Sequence, residues 1–527
     1  LIKKFTSKYP NVSHVIYDTV SSSEALDAFQ SKYGIRALAD FDFSKAEVIV
    51  SVGADFLGDW QGGGFDSSYA KGRIPSEGKM SQHFQFEANM SLTGANSDIR
   101  IPTTPSQQKQ VVKALTGGST SGLPESVVAA ISSAKAALQK AGDKGVIITG
   151  LPDVSAQSSI LSYNESVSSV VMSTEKPKLI RKGNSREVTN VINDVINGDV
   201  KGLISVGVDP VYSFPNNLAF TEAYTRLALT ASFSFKKDAT ASLSQLVAAT
   251  PHYLESWGDT QFSEGNYGLI QPTIQPLFKT RQIQDTLLKW SGSSTSYYDY
   301  LKSFWSTEVL DGSSWNKALH NGFYNKVVSL GTETPRDISI AEVAKLLKKS
   351  TLTSGMELNL YIKTGLGDGK QANNPWLQEF PDPITRTSWD NYLTMSMADA
   401  RDLGFSNPVK DNGAIDGDYA KVSLNGVEVV VPVMVQPGQA KGSVGLALGF
   451  GKTFGLKEEM IVGVNAYPLY KGGNNIQYNV AIEKVDGTHQ FACTQVQKTI
   501  AGRHDILKVA SLKEYNTVAP KDHHHGW

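Results

Sequence analysis

Short apolar runs alternate with helical patterns through the first part of the chain. VIVSVG (Val48–Gly53), VIITGL (Val146–Leu151) and GLISVG (Gly202–Gly207) are strand-length, rich in β-branched residues, and each runs into a glycine. HVIYDTV (His14–Val20) reads as a further strand, followed by a helix over SSEALDAFQSKYG. Helical spacing is clearest in ESVVAAISSAKAALQKAG, which ends at Gly142, and in EVTNVINDVINGD before GLISVG. FTEAYTRLAL then predicts a helix leading into a strand at ALTASFSF. This alternation predicts parallel sheets covered on both faces by helices, an α/β architecture of Rossmann type.

Beyond about residue 335 the period changes. ELNLYIKTGLGDG, DYAKVSLNGVEVVVPVMVQPG, GSVGLALGFG and NIQYNVAIEKVDG are β-branched or alternating runs, with a hairpin signal at Asn425-Gly426. One short helical stretch, MSMADARDLG (Met395–Gly404), interrupts them. The expected organisation is an α/β region over 1–330, a β-barrel domain over 331–515 and a tail over 516–527. Gly- and Ser-rich Thr116–Ser126 is the expected division between two α/β halves, and Lys289–Ser314 reads as an irregular connection.

Composition narrows the function classes. The chain has 527 residues, and its 50 Lys and Arg against 51 Asp and Glu carry no nucleic-acid footprint. No apolar run reaches the roughly 18–20 residues of a membrane span. The single cysteine, Cys493, excludes an internal disulfide, an iron–sulfur ligand set and a C-x-x-C-H haem attachment, and it reads as a small buried strand residue. The start at Leu1 and the ending DHHHGW point to a segment of something longer.

Candidate chemistry is sparse. Gly53 and Gly207 each open an SVG-x-D turn, with Asp55 and Asp209 as its acids. A dinucleotide fingerprint needs G-x-G-x-x-G at such a strand end, and neither turn supplies it. The acids also place negative charge where a phosphate would sit. Two interpretations remain: glycine and aspartate that end a parallel strand, or an altered cofactor crevice. GFGKTFG (Gly449–Gly455) lacks the earlier glycine of a phosphate loop, since Leu446 occupies that position. His14, His83, His252, His320, His489, His504 and His523–His525 show no metal-ligand spacing. No G-x-S-x-G elbow is present. Asp40/Asp42 and Glu458/Glu459 read as turn and surface residues. Trp60, Trp257, Trp290, Trp305 and Trp376 suit a core or an interface equally. No catalytic, cofactor-binding or metal-ligating residue is therefore assigned.

Several stretches together resemble the large subunits of molybdopterin oxidoreductases: KGLISVGVDPVYSFPN, SQLVAATPHYLESWGDTQFSEGNYGLIQPTIQPLF, and NPWLQEFPDP through GSVGLALGFG. VIVSVGADFLGDWQGGGFDSSYAKGRIP, GKMSQHFQFEANMSLTGANSDIRIP and TQVQKTIAGRHDILKVASLKEY support a narrower resemblance. They are similar to the electron-transfer component of the bacterial alternative complex III family, in which a molybdopterin-oxidoreductase-like region is followed by an iron–sulfur region. That resemblance implies a molybdopterin-oxidoreductase-like fold ending in a barrel. It implies no molybdenum cofactor in this segment, and iron–sulfur clusters in a downstream region. It further implies a non-catalytic scaffold role in a membrane quinol:electron acceptor oxidoreductase, among haem c and integral-membrane quinol-binding subunits on the periplasmic side of the inner membrane. Asp55, Phe56, Leu57 and Trp60 are expected to take the room a phosphate would need. The alternative is a fragment of a true molybdopterin-dependent oxidoreductase whose metal ligand lies outside it.

Overall fold

A computed structural model describes residues 1–75, 78–215, 217–327, 352–411, 413–494, 502–503, 506 and 510–517. The expected boundary at 330/331, His504, His523–His525 and residues 518–527 of the tail lie outside the described residues.

The first α/β unit is a parallel sheet of β1 (Val48–Val52), β2 (Gln82–Glu87), β3 (Ile99–Pro102) and β4 (Gly145–Thr149), in the order β3-β2-β1-β4. Alternate side chains of β1 point to opposite faces. Val48, Val50 and Val52 join a cluster with helices α1 (Pro105–Leu115), α2 (Glu125–Ala141) and α3 (Val154–Ser166), while Ile49 joins Phe29, Phe41, Phe43 and Phe65 on the other face. Both faces of β1 and β4 are thus covered, which is why these two strands read as continuous apolar runs. Chain order reverses between β1 and β4, so a crevice opens at their carboxyl ends.

The second unit contains α4 (Ser185–Asn197) and parallel strands β5 (Gly202–Val206), β6 (Leu229–Ser234) and β7 (Leu246–Ala249). The Asn184 side chain accepts from the Arg186 and Glu187 amides at the start of α4, and Gly198 takes a left-handed φ of 82° after its end. A five-stranded antiparallel sheet shares a core with the first unit through Phe41 and Met172. It is assembled from Leu38–Phe41, Met172–Lys178, Gly258–Ser263, Asn266–Ile270 and Phe323–Asn325.

The β-rich half is a large mixed sheet. Its main strands are β8 (Met356–Tyr361), β9 (Leu393–Met395), β10 (Ile415–Leu424), β11 (Val427–Val435), β12 (Ser443–Ala447) and β13 (Ile476–Cys493), in the order β8-β12-β9-β11-β10-β13, and the two-residue strand Thr387–Ser388 pairs with the end of β13 as the seventh. The start of β13 pairs back onto β8, joining Leu358 to Gln477 and Asn359 to Ile476. The hairpin between β10 and β11 turns at Asn425 and Gly426, with φ of 48° and 80°, the left-handed pair such a turn requires. One apolar cluster holds Leu358, Leu393, Val431 and Leu446 of this sheet together with Ile192, Phe220 and Tyr224 of the second α/β unit.

Three sequence expectations are corrected. His14–Val20 has no regular secondary structure and pairs with no strand: Val15, Tyr17 and Val20 instead pack singly on the shared core, and the Tyr17 hydroxyl donates to Ser213 O. Thr116–Ser126 does not divide two halves: it lies between α1 and the start of α2, inside the crossover from β3 to β4 of one sheet. Lys289–Ser314 is largely helical, with Tyr297–Phe304 continuing into Trp305–Val309 around a buried Trp305.

Candidate functional site

The two SVG-x-D turns are built alike. In the first, the Gly53 amide donates to Phe86 O on the neighbouring strand (2.7 Å). Asp55 Oδ1 accepts from the Thr93 amide (3.0 Å) and hydroxyl (2.7 Å), and Thr93 Oγ1 accepts from the Leu57 amide (2.9 Å). In the second, the Gly207 amide donates to Phe233 O (2.9 Å). Asp209 Oδ1 accepts from the Thr240 amide (3.0 Å) and hydroxyl (2.8 Å), and Thr240 Oγ1 accepts from the Val211 amide (3.1 Å). Thr93 and Thr240 each lie in the first turn of the short helix after the adjacent strand. The aspartates therefore put the chain's own carboxylates against the donor ends of helices, where a bound anion otherwise sits.

The turns differ in one respect. Lys452, the lysine of GFGKTFG, reaches Asp209 Oδ2 (3.2 Å) and lies over the Tyr212 ring (4.4 Å from its centroid). Asp55 receives no such cation among the described residues. Burial pushes the Asp55 carboxyl pKa up, against the lowering effect of its Thr93 bonds.

A cavity of about 270 Å³ lies where β1 and β4 end, bounded on its far side by the segment leaving β8. Asp55, Trp60, Glu87, Gln108, Arg181 and Lys363 are among its lining residues. Trp60 Nε1 donates to Thr149 O (3.2 Å), which fixes the indole across the two strand ends. Glu87 is buried and binds Arg100 at 2.5 Å. Lys363 is buried, donates to Asp390 O (2.8 Å) and stacks on Tyr392, and burial pulls its pKa down to about 8. A second cavity of about 250 Å³ lies at the Asp209 turn.

Sequence inspection misplaces Phe56 and Leu57. Phe56 is fully buried among Phe43, Tyr69 and His83 beneath the turn, and Leu57 packs on the same cluster. Asp55 and Trp60 do line the crevice, but they leave the cavity open. Gln108, Glu87 and Lys363 join the lining without any motif in the sequence to mark them. Gln108 sits one turn into α1, and a Cβ added at Gly53 would meet its Oε1.

The other candidates separate. Asp40 pairs with Lys178, and Asp42 caps the turn over Phe43–Lys45. His489 binds Asp390 at 2.7 Å, and His83 is buried between Tyr69 and Gln85. Among the described residues no group of three or more His, Cys, Asp or Glu could hold a metal ion. Cys493 ends β13, half-buried beside Thr387 Oγ1. Trp305 is core, whereas Trp376 is 81% exposed.

A pterin nucleotide is the group that the resemblance to molybdopterin oxidoreductases brings to such a crevice. The residues present do not fit its pyrophosphate at either turn. The amides of Leu57, Gly58 and Trp60 are already committed to Thr93 Oγ1 and Asp55 O, and those of Val211 and Tyr212 to Thr240 Oγ1 and Asp209 O. The carboxylates at the helix starts would repel a second anion.

Comparison with known proteins gives two findings. The chain is 23% identical over 263 residues to the menaquinone reductase, molybdopterin-binding-like subunit of Nitratidesulfovibrio vulgaris (strain Hildenborough). That match takes in 48% of this chain and 36% of the relative, so the chain spans little more than a third of the relative's length. Acetylene hydratase from Pelobacter acetylenicus superposes with a TM-score of 0.58 at 10% identity, over 89% of this chain and 81% of that one, a likeness of fold. No family model matches the chain.

Proposed function

We propose that this chain is a molybdopterin-oxidoreductase-like module that holds no pterin nucleotide and serves as a scaffold in the electron-transfer subunit of a quinol-oxidising respiratory complex of the alternative complex III type. The observation that carries the proposal is the matched sealing of the two strand-end turns. In each, an aspartate and a threonine take the backbone donors on which a nucleotide fold relies. The sequence match to a molybdopterin-binding-like subunit of a menaquinone reductase supports a place among the subunits of a quinone-reacting complex. In this reading the closed ladder from β8 through β13 back to β8 is the expected barrel. The iron–sulfur centres belong to a region downstream in the same subunit, and this chain sits peripherally on the periplasmic side of the inner membrane as part of the complex.

A fixed α/β body suits this role because electron tunnelling depends on spacing, which a shared apolar core maintains. The test is metal analysis of the intact complex from cells supplied with molybdate and tungstate. Iron without stoichiometric molybdenum or tungsten is the expected result. One molybdenum or tungsten per complex overturns the proposal in favour of a true molybdopterin-dependent oxidoreductase.

A further inference from the structure

Beside the edge strand β7 lies an exposed apolar patch for which the crevice and the core have no use. The Phe235 ring contacts His252, whose ring contacts Tyr253. Leu254 O accepts from the Thr273 and Ile274 amides, and the Leu277 amide donates to Glu255 Oε1, so the loop Gln271–Gln282 is tied to the same surface. At its tip Leu277 is 70% and Phe278 77% exposed, and Phe235 and Tyr253 are more than half exposed. Two adjacent large apolar side chains this open on a loop are unusual for a surface that stays in water.

Lys237, Lys279 and Arg281 are exposed and form no ion pair among the described residues. Two carboxylates of the same segments are held by the chain itself. Glu255 accepts from the His252 and Leu277 amides, and Asp238 is buried and bound to Ser234 and Ala241. Apolar tips beside cations at neighbouring positions match the boundary of an anionic bilayer, where the side chains enter the acyl edge and the cations stay at headgroup level. A protein partner would meet fixed cations with fixed carboxylates. Cations spread over two segments instead suit the diffuse charge of a lipid surface. No described helix is long and apolar enough to cross a membrane, so any attachment through these residues is interfacial.

We infer that the loop carrying Leu277 and Phe278, with Lys237, Lys279 and Arg281, docks this chain on an anionic lipid surface. The inference does not depend on whether the crevice holds a cofactor, and metal analysis cannot decide it. The experiment is co-sedimentation of the purified chain with phosphatidylcholine vesicles, with and without a quarter of phosphatidylglycerol. Binding is expected to the anionic vesicles and to weaken as salt is raised. Leu277→Ser/Phe278→Ser should lower that affinity by at least about tenfold. Lys279→Gln/Arg281→Gln should lower it by about twenty-five-fold, roughly fivefold per cation. All four side chains are exposed, so an unchanged circular dichroism melt serves as the folding control. Absence of wild-type binding to anionic vesicles overturns the inference. So does retention of binding by both folded variants. If vesicles are ignored while the Leu277/Phe278 variant drops out of the assembled complex, the surface belongs to a protein partner and the inference is likewise wrong.

Discussion

Asp55→Asn and Asp209→Asn make the same chemical change in two turns of the same design, yet their consequences should differ. An asparagine keeps the oxygen that accepts from the threonine amide and hydroxyl at each site, replacing charge-assisted bonds with neutral ones. At Asp55, burial already opposes the charge, so the loss and the relief nearly balance and the cost is about 1 kcal/mol. At Asp209 the change also strands Lys452, whose side chain is only 10% exposed. Removing one partner of a buried pair costs about 3–5 kcal/mol. Hydrogen exchange at the Thr93 and Thr240 amides reads each turn locally, without requiring the whole chain to unfold as a unit. Asp55→Asn should speed Thr93 exchange about fivefold, and Asp209→Asn should speed Thr240 exchange by more than about a hundredfold. Adding Lys452→Met to Asp209→Asn should restore most of the protection, because an apolar stem can stay over Tyr212 without a counter-charge. Equal effects at the two turns, or no rescue by Lys452→Met, would refute the view that the second turn is held by a buried ion pair.

Gly150→Ala should cost at least about 3 kcal/mol, seen as a lowered urea midpoint or loss of soluble protein, because its Cβ would collide with the Gly53 carbonyl where β1 and β4 end. His83, held by burial near a pKa of about 4, should remain neutral at pH 6. The unfolded chain then binds more protons than the folded one between about pH 4 and 6.5, so His83 makes stability fall as pH drops through that window; an NMR titration placing its pKa at 6 or above contradicts this. Lys363, lowered from 10.5 to about 8, should make stability rise with pH across that interval, and Lys363→Met should flatten the profile. An unchanged slope in that variant would show that the ammonium is not the source.

Local structure is legible in the sequence where one helix or strand decides its own pattern. Val188, Ile192 and Val195 recur at helical spacing between Asn184 and Gly198, and α4 follows that register. The Asn425-Gly426 hairpin likewise needs only its own two residues. The antiparallel sheet is not legible, because its five strands come from four segments far apart in sequence, only Gly258–Ser263 and Asn266–Ile270 forming a hairpin, and Met172–Lys178 is mostly polar. Tyr297, Leu301 and Trp305 stand four residues apart and are all buried, a helical signal hidden by the surrounding serines and tyrosines. At the site, the SVG-x-D repeat marks both turns, but its partners Thr93 and Thr240 lie 38 and 31 residues downstream. Phe56 reads as a crevice residue because sequence does not say which side of a turn a residue enters. Its burial beneath β1 is set by Phe43, Tyr69 and His83.

The most direct test of the sealed turns is the nucleotide content of the chain itself. Protein purified from its native source under conditions that preserve bound cofactors can be acid-treated and the released guanine and cytosine nucleotides separated and quantified. Only traces far below one per chain are predicted. A pterin-derived guanine or cytosine nucleotide recovered at one or two per chain would contradict the account.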